Sequence, residues 1–334
     1  MLAQLREPWW VGAIEAIVIV NLLLLVFAYL TLTERKVMAR MQQRYGPNRA
    51  GPFGLLQPFA DLIKLIRKEA FQPDLVIHPL AYIIPPALTA GLAILTFSVV
   101  PWGKGWTIGG TYVAGQVVDV PISLILVFAL GSIASYGFLV AGWGSESKYA
   151  LLGSMRTGAQ LVSYEIALSL SVLGVVLEGR SLSLRAIVEQ QHQTLWFIGP
   201  QFVGFLCFFM AGIAEVARAP FDLPEAEQEL VAGYHTEYSG MRWGLFQMSE
   251  YIHMTTISAL IVTLFLAGWH FPVADYLGPI WFLLKLGLLL FVFIWLRTTL
   301  PRLRYDQLMS FGWKILLPLA TVNAVLTAAL VVAL

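Results

Sequence analysis

The chain has 334 residues, of which 58% are apolar and 12% charged, with a formal net charge of +1. Ordinary globular proteins carry about 25% charged residues, so this composition excludes a disordered chain, a basic nucleic-acid binder and an ordinary soluble enzyme. What remains is an all-α, multi-pass membrane protein, and its one cysteine, Cys207, cannot build an intramolecular disulfide, a structural zinc site or an iron–sulfur centre.

A bilayer core of roughly 30 Å needs about 20 mostly apolar residues per helix. Eight windows meet this: 9–32, 79–100, 120–141, 157–177, 196–217, 245–268, 280–296 and 313–334. Together they read as one polytopic domain, 1–334. The first window outruns the apolar core of a signal peptide, carries Glu15 and precedes no small-residue cleavage site, so it reads as a retained helix. The sequence leaves the role of Glu15 open.

The loop 33–78 comes next. It is strongly basic, with Arg35, Lys36, Arg40, Arg44, Arg49, Lys64, Arg67 and Lys68. Its Gly-Pro-rich stretch 46–54 forces turns. Beyond it, Leu56, Phe59, Ala60, Ile63 and Ile66 share one helical face, and Gln57, Asp61, Lys64 and Lys68 share another. This predicts an amphipathic helix in the plane of the interface. Either its bases meet lipid phosphates, or it is a doorway for an amphiphilic substrate; Asp61 among the bases marks the second reading.

The second and third windows hold no acid, and the glycines between them, at 103, 105, 109 and 110, do not form a dinucleotide-binding fingerprint. The fourth holds Glu165, some eight residues from its loop end, or roughly 12 Å along a helix. The fifth and sixth flank an acidic loop, 218–244, with Glu215 and Glu250 near their ends. Inside the loop, Asp222, Glu225, Glu227, Glu229 and Glu237 face only Arg218 and Arg242. An acid at the centre of a span costs roughly 2.5–3.5 kcal/mol, so function is the default reading. Acids this dense hold protons near neutral pH and titrate as a set. That suits a proton path or an electrostatic trigger; a solvated acidic loop capping two helices is the plain alternative. His253, one turn from Glu250, reads as a hydrogen-bonded helix histidine. Lys285, in the seventh window, either pairs with an acid or snorkels outward.

Sixteen of the 21 Lys and Arg residues fall on one side of these windows, the side of loops 33–78 and 218–244. By the positive-inside rule that side is cytoplasmic and both termini face outward. No P-loop and no H-E-x-x-H spacing is present.

Four blocks carry a family resemblance: 33–71 (TERKVMARMQQRYGPNRAGPFGLLQPFADLIKLIRKEAF), 149–168 (YALLGSMRTGAQLVSYEIAL), 214–240 (AEVARAPFDLPEAEQELVAGYHTEYSG) and 296–309 (LRTTLPRLRYDQLM). In this order they resemble the quinone-chamber membrane subunit of respiratory complex I, NADH:quinone oxidoreductase. The resemblance implies quinone as substrate, with iron–sulfur clusters and FMN held only in partner subunits. It implies soluble peripheral-arm partners carrying the terminal cluster, small and antiporter-like membrane neighbours and no nucleic acid; the membrane is read as a bacterial plasma membrane, with an organelle inner membrane as the alternative. Carried over by motif, Arg35, Asp61, Lys64 and Arg297 line or shape the quinone path, with Phe246 near its entrance. Glu165, Glu215, Arg218, Asp222, Glu225, Glu227, Glu229 and Glu250 carry charge coupling; no metal is bound. The alternatives are the equivalent subunit of a membrane-bound hydrogenase or ferredoxin-linked complex, and a stand-alone proton-coupled transporter.

Overall fold

A computed structural model describes residues 8–71, 73, 78–108, 111–223, 230–271 and 277–333. In chain order the elements are α1 (Trp9–Met41), a 3-10 turn (Pro52–Gly54), α2 (Gln57–Arg67), α3 (Pro79–Ser98) and an antiparallel hairpin of β1 (Trp106–Ile108) and β2 (Thr111–Val113). Then follow α4 (Ser123–Gly144), α5 (Lys148–Gly179), α6 (Leu184–Gln193), α7 (Phe202–Glu215), a 3-10 turn (Gly233–His235), α8 (Gly240–Phe265) and α9 (Gly278–Thr299). The last unit joins α10 (Tyr305–Phe311) to α11 (Leu317–Ala333) through a π-helical turn, Gly312–Leu316.

Among the described residues, seven helices are long and apolar enough to cross a membrane: α1, α3, α4, α5, α8, α9 and the unit Tyr305–Ala333. The remaining window, 196–217, holds the shorter apolar helix α7. At 1.5 Å per residue α7 is about 21 Å long. Its apolar sequence starts earlier, but the turn at Gly199–Pro200 delays the helix to Phe202. The fourth window grows at its polar end instead. α5 begins at Lys148, because the stretch before Thr157 is helical though too polar for the bilayer core.

α8 is the central helix. Its apolar window is 89% buried inside the protein, against 22% for α1 and α4, which therefore lie at the periphery. Close packing between the elements depends on small residues, as is usual where lipid supplies no hydrophobic drive between helices. A β-carbon at Gly144 of α4 would lie 2.5 Å from the Ala81 carbonyl of α3. One at Gly153 of α5 would lie 2.7 Å from Gly233 Cα and 2.8 Å from Tyr234 N, so α5 holds the 3-10 turn directly on its surface.

The amphipathic helix forms as the spacing predicts. Its Pro58 is buried, while Phe59, Leu62, Ile63 and Ile66 are exposed along one face. Its far end abuts the start of α8. The Ser239 hydroxyl donates to the Glu69 carbonyl at 3.0 Å, and Gly240 begins α8 at φ +61° with the Lys68 carbonyl 3.1 Å from where a β-carbon would stand. At the opposite end of the helices Arg185 of α6 gathers the loops. It donates to the Lys104 carbonyl (2.7 Å) and the Tyr112 hydroxyl (3.0 Å) and faces Glu189 and Asp119.

Gly153 generates a test. Because its neighbours are backbone atoms that cannot rotate away, Gly153→Ala should destabilise the protein by about 1–3 kcal/mol, read as a lower thermal unfolding midpoint in detergent.

Candidate functional site

Three helices that each carry an isolated acid in the sequence bring those acids to one cavity. Glu165 stands on α5, Glu215 is the last residue of α7, and Glu250 and His253 lie one turn apart on α8. Because α8 starts at Gly240, Glu250 lies about 15 Å along it, deeper than the apolar window alone places it. The cavity is lined also by Tyr234, Ser135, Thr157 and Ser249. It offers about 50 Å³ to the centres of water-sized molecules, room for about three or four waters.

The acids are held by specific partners. The Ser132 hydroxyl of α4 donates to Glu165 Oε1. His253 Nε2 lies 3.2 Å from Glu215 Oε1, in hydrogen-bonding range. Glu250, 8% exposed, takes two partners. The Tyr234 hydroxyl donates to its Oε1 at 2.7 Å, and Arg218 Nη2 stands 3.2 Å from its Oε2. Arg218, 6% exposed, also lies over the Tyr251 ring at 4.5 Å. α4 supplies no acid here. It supplies Gly131, whose β-carbon position is 3.8 Å from Glu215 Oε1, so the third window contributes space and the Ser132 hydroxyl.

A second set of charges lies where α1, α2 and α9 meet. Arg35 Nη1 bonds Asp61 Oδ2 at 2.6 Å, and Gln57 Nε2 bonds Asp61 Oδ1 at 2.9 Å. The neighbouring Glu34 is 3% exposed and pairs with Arg297 in the last turn of α9. Consecutive residues of α1 thus tie it to two different helices. Lys64 is exposed. Phe246 is 1% exposed and packs edge-on to Tyr234 (5.3 Å) and Tyr238 (5.0 Å). Tyr238 stacks on Tyr82 and donates to its carbonyl at 3.0 Å. Burial pushes the Tyr238 hydroxyl up, so it stays neutral. Phe246 therefore belongs to an aromatic wall behind the Tyr234–Glu250 contact.

Of the remaining expected residues, Asp222 is half-buried between the buried Phe221 and Leu223. Glu225, Glu227 and Glu229 lie outside the described residues. Sequence reasoning misses Glu34, Ser132 and Tyr234. Glu34 has a signal, an acid among the bases of the first loop, but its partner is 263 positions away. His253 faces Glu215, from another helix, at 3.2 Å and not Glu250 on its own.

The NADH dehydrogenase family profile matches residues 14–328. Named relatives match nearly end to end. An NADH-quinone oxidoreductase subunit of Koribacter versatilis is 48% identical over 95% of this chain and 96% of its own length. "NADH-quinone oxidoreductase subunit 8" of Thermus thermophilus is 48% identical over 98% and 88%. An NADH-quinone oxidoreductase subunit of Geobacter metallireducens is 52% identical over 90% of each.

The Arg218–Glu250 pair is buried, so removing one partner strands a charge at a cost of about 3–5 kcal/mol. Arg218→Met should therefore destabilise more than Glu250→Gln, whose amide still accepts from Tyr234. The double variant should recover part of the loss in a thermal-unfolding double-mutant cycle.

Proposed function

We propose, from the premise that the chain belongs to the NADH dehydrogenase family of NADH-quinone oxidoreductase membrane subunits, that it forms its complex's quinone chamber and turns quinone reduction into proton movement through buried charge. The observation that carries the reading is the shared cavity, where Glu165, Glu215, Glu250 and His253 meet in a space wide enough for water. Carboxylates spread over three helices and joined by room for water are what a charge relay requires, and three separate helix caps would not need a common cavity.

The quinone enters past α2. Its exposed apolar face suits a long isoprenoid tail, and the Arg35–Asp61 pair beside it meets the polar head. Lys64 and Arg297 shape the path, with Glu34 fixing the Arg297 guanidinium. Phe246 shapes it through the aromatic wall. Electrons arrive from an iron–sulfur cluster of a soluble partner that docks on the loops 33–78 and 218–244; clusters and FMN belong to partners.

Two electrons added to a quinone build negative charge and draw two protons. The acids at the loop, Asp222, Glu225, Glu227 and Glu229, answer by changing protonation. Arg218 feels that change and passes it to Glu250, which it touches. Glu250 shares the cavity with His253 and Glu215, which exchange a proton across their 3.2 Å contact, and Glu165 hands the disturbance on toward antiporter-like neighbours. Moving a unit charge across 100 mV costs roughly 2.3 kcal/mol. One pKa unit is worth about 1.36 kcal/mol, so a shift of about two units drives the step. The complex lies in a bacterial plasma membrane, with both termini of this chain outward and the basic loops in the cytoplasm.

Two variants of the assembled complex test this. Glu165→Gln should lower protons moved per NADH while partner clusters still reduce; unchanged quinone reduction and pumping would contradict the relay. Arg35→Ala should raise KM for a long-tailed quinone several-fold with a smaller change in kcat; an effect on kcat alone would remove Arg35 from the entrance.

A further inference from the structure

Lys285 plays no part in the relay, yet an ammonium inside a span is costly enough to demand a reason. Among the described residues it meets no acid, and it does not reach outward. Its Nζ donates to three backbone carbonyls, those of Leu266 (2.6 Å), Gly268 (3.0 Å) and His270 (2.6 Å). The ammonium also stands 4.7 Å from the centroid of the Trp196 ring.

The carbonyls point inward because of how α8 ends. Ala267 (φ +56°) and Gly268 (φ +51°) are successive left-handed residues that turn the chain back on itself. Such a conformation is costly for alanine and persists only where the surroundings enforce it. A helix end leaves its last carbonyls without partners. Most of this end is closed off by the protein: Phe265, Ala267 and Trp269 are fully buried, His270 is 4% exposed and Leu266 is half-buried.

The protein supplies partners for most of these carbonyls itself. Val262 O accepts from Gly268 N, Phe265 O from Ile198 N and Ala267 O from His270 N. Thr263 O accepts from the side chain of Gln191 on α6, whose other end accepts from Ala267 N. Leu266 O, Gly268 O and His270 O are left for Lys285. A primary ammonium has three donors in a compact head, and the negative end of the α8 dipole favours a cation there. A planar guanidinium does not match this crown.

We infer that the Leu266, Gly268 and His270 carbonyls, with the Trp196 ring, form a primary-ammonium receptor whose resident ligand is the side chain of Lys285. The receptor locks the end of α8, and Lys285 is a positioning residue for Glu250 and the other acids that meet it at the cavity. Its effect on those acids rests on the relay reading; the lock does not.

Lys285→Ala removes the equivalent of propylammonium. In the assembled complex it should speed thermal inactivation by about tenfold. Millimolar propylammonium should reverse the effect, and propanol or tetramethylammonium should not. Rescue by propanol, or none by propylammonium, would overturn the receptor. If the alanine variant fails to assemble, Lys285→Met keeps the volume and removes the charge. Failed assembly or faster inactivation of that variant supports the lock, and inactivation within about twofold of the parent overturns it. Inactivation is read without quinone, so failure of the relay assignment would leave this result standing.

Discussion

A charge placed in hydrocarbon must be paired, hydrated in a cavity or excluded, and that requirement governs how these helices are arranged. The buried ions of the described structure bring distant segments together. Arg297 on α9 needs Glu34 on α1, Arg218 after α7 needs Glu250 on α8, and Glu215 at the end of α7 meets His253 on α8. α8 takes part in two of these contacts and is the most enclosed helix. The same requirement fixes its far end, where Lys285 and Gln191 satisfy carbonyls at the end of the helix. The helix bearing Glu250 and His253 is thus held at both ends by polar contacts and along its length by packing.

The proposed function draws on an imbalance in how the charges are met. Pairs at the periphery are direct and close, as in Arg35 with Asp61. At the centre three carboxylates share one histidine, one arginine, one tyrosine hydroxyl and one serine hydroxyl around a small cavity. A fully paired set would be static. Among the described residues this centre holds more acids than cations and has space for a few waters, which is the composition the proposed relay asks for.

Much of this is legible in the sequence. The spans follow from apolar runs, and the amphipathic α2 follows from its spacing. The acids Glu165, Glu215 and Glu250 stand out by their cost in a membrane, and the cavity unites them. What stays hidden is what one-dimensional spacing cannot carry. Glu34 and Arg297 lie at opposite ends of the chain, and His253 pairs across helices although an acid sits one turn away on its own. Hydropathy starts α7 too early, because it does not register the turn at Gly199–Pro200. Lys285 is visible as an anomaly, but its partners are backbone carbonyls, which have no sequence signature.

The central claim is that the carboxylates of this cavity change protonation when the quinone is reduced. Redox-induced infrared difference spectroscopy on the intact complex reads that change as carboxylic C=O bands. The account predicts such bands on quinone reduction, with part of the signal lost in Glu215→Gln. A difference spectrum with no carboxylic component, or one that Glu215→Gln leaves untouched, would contradict it.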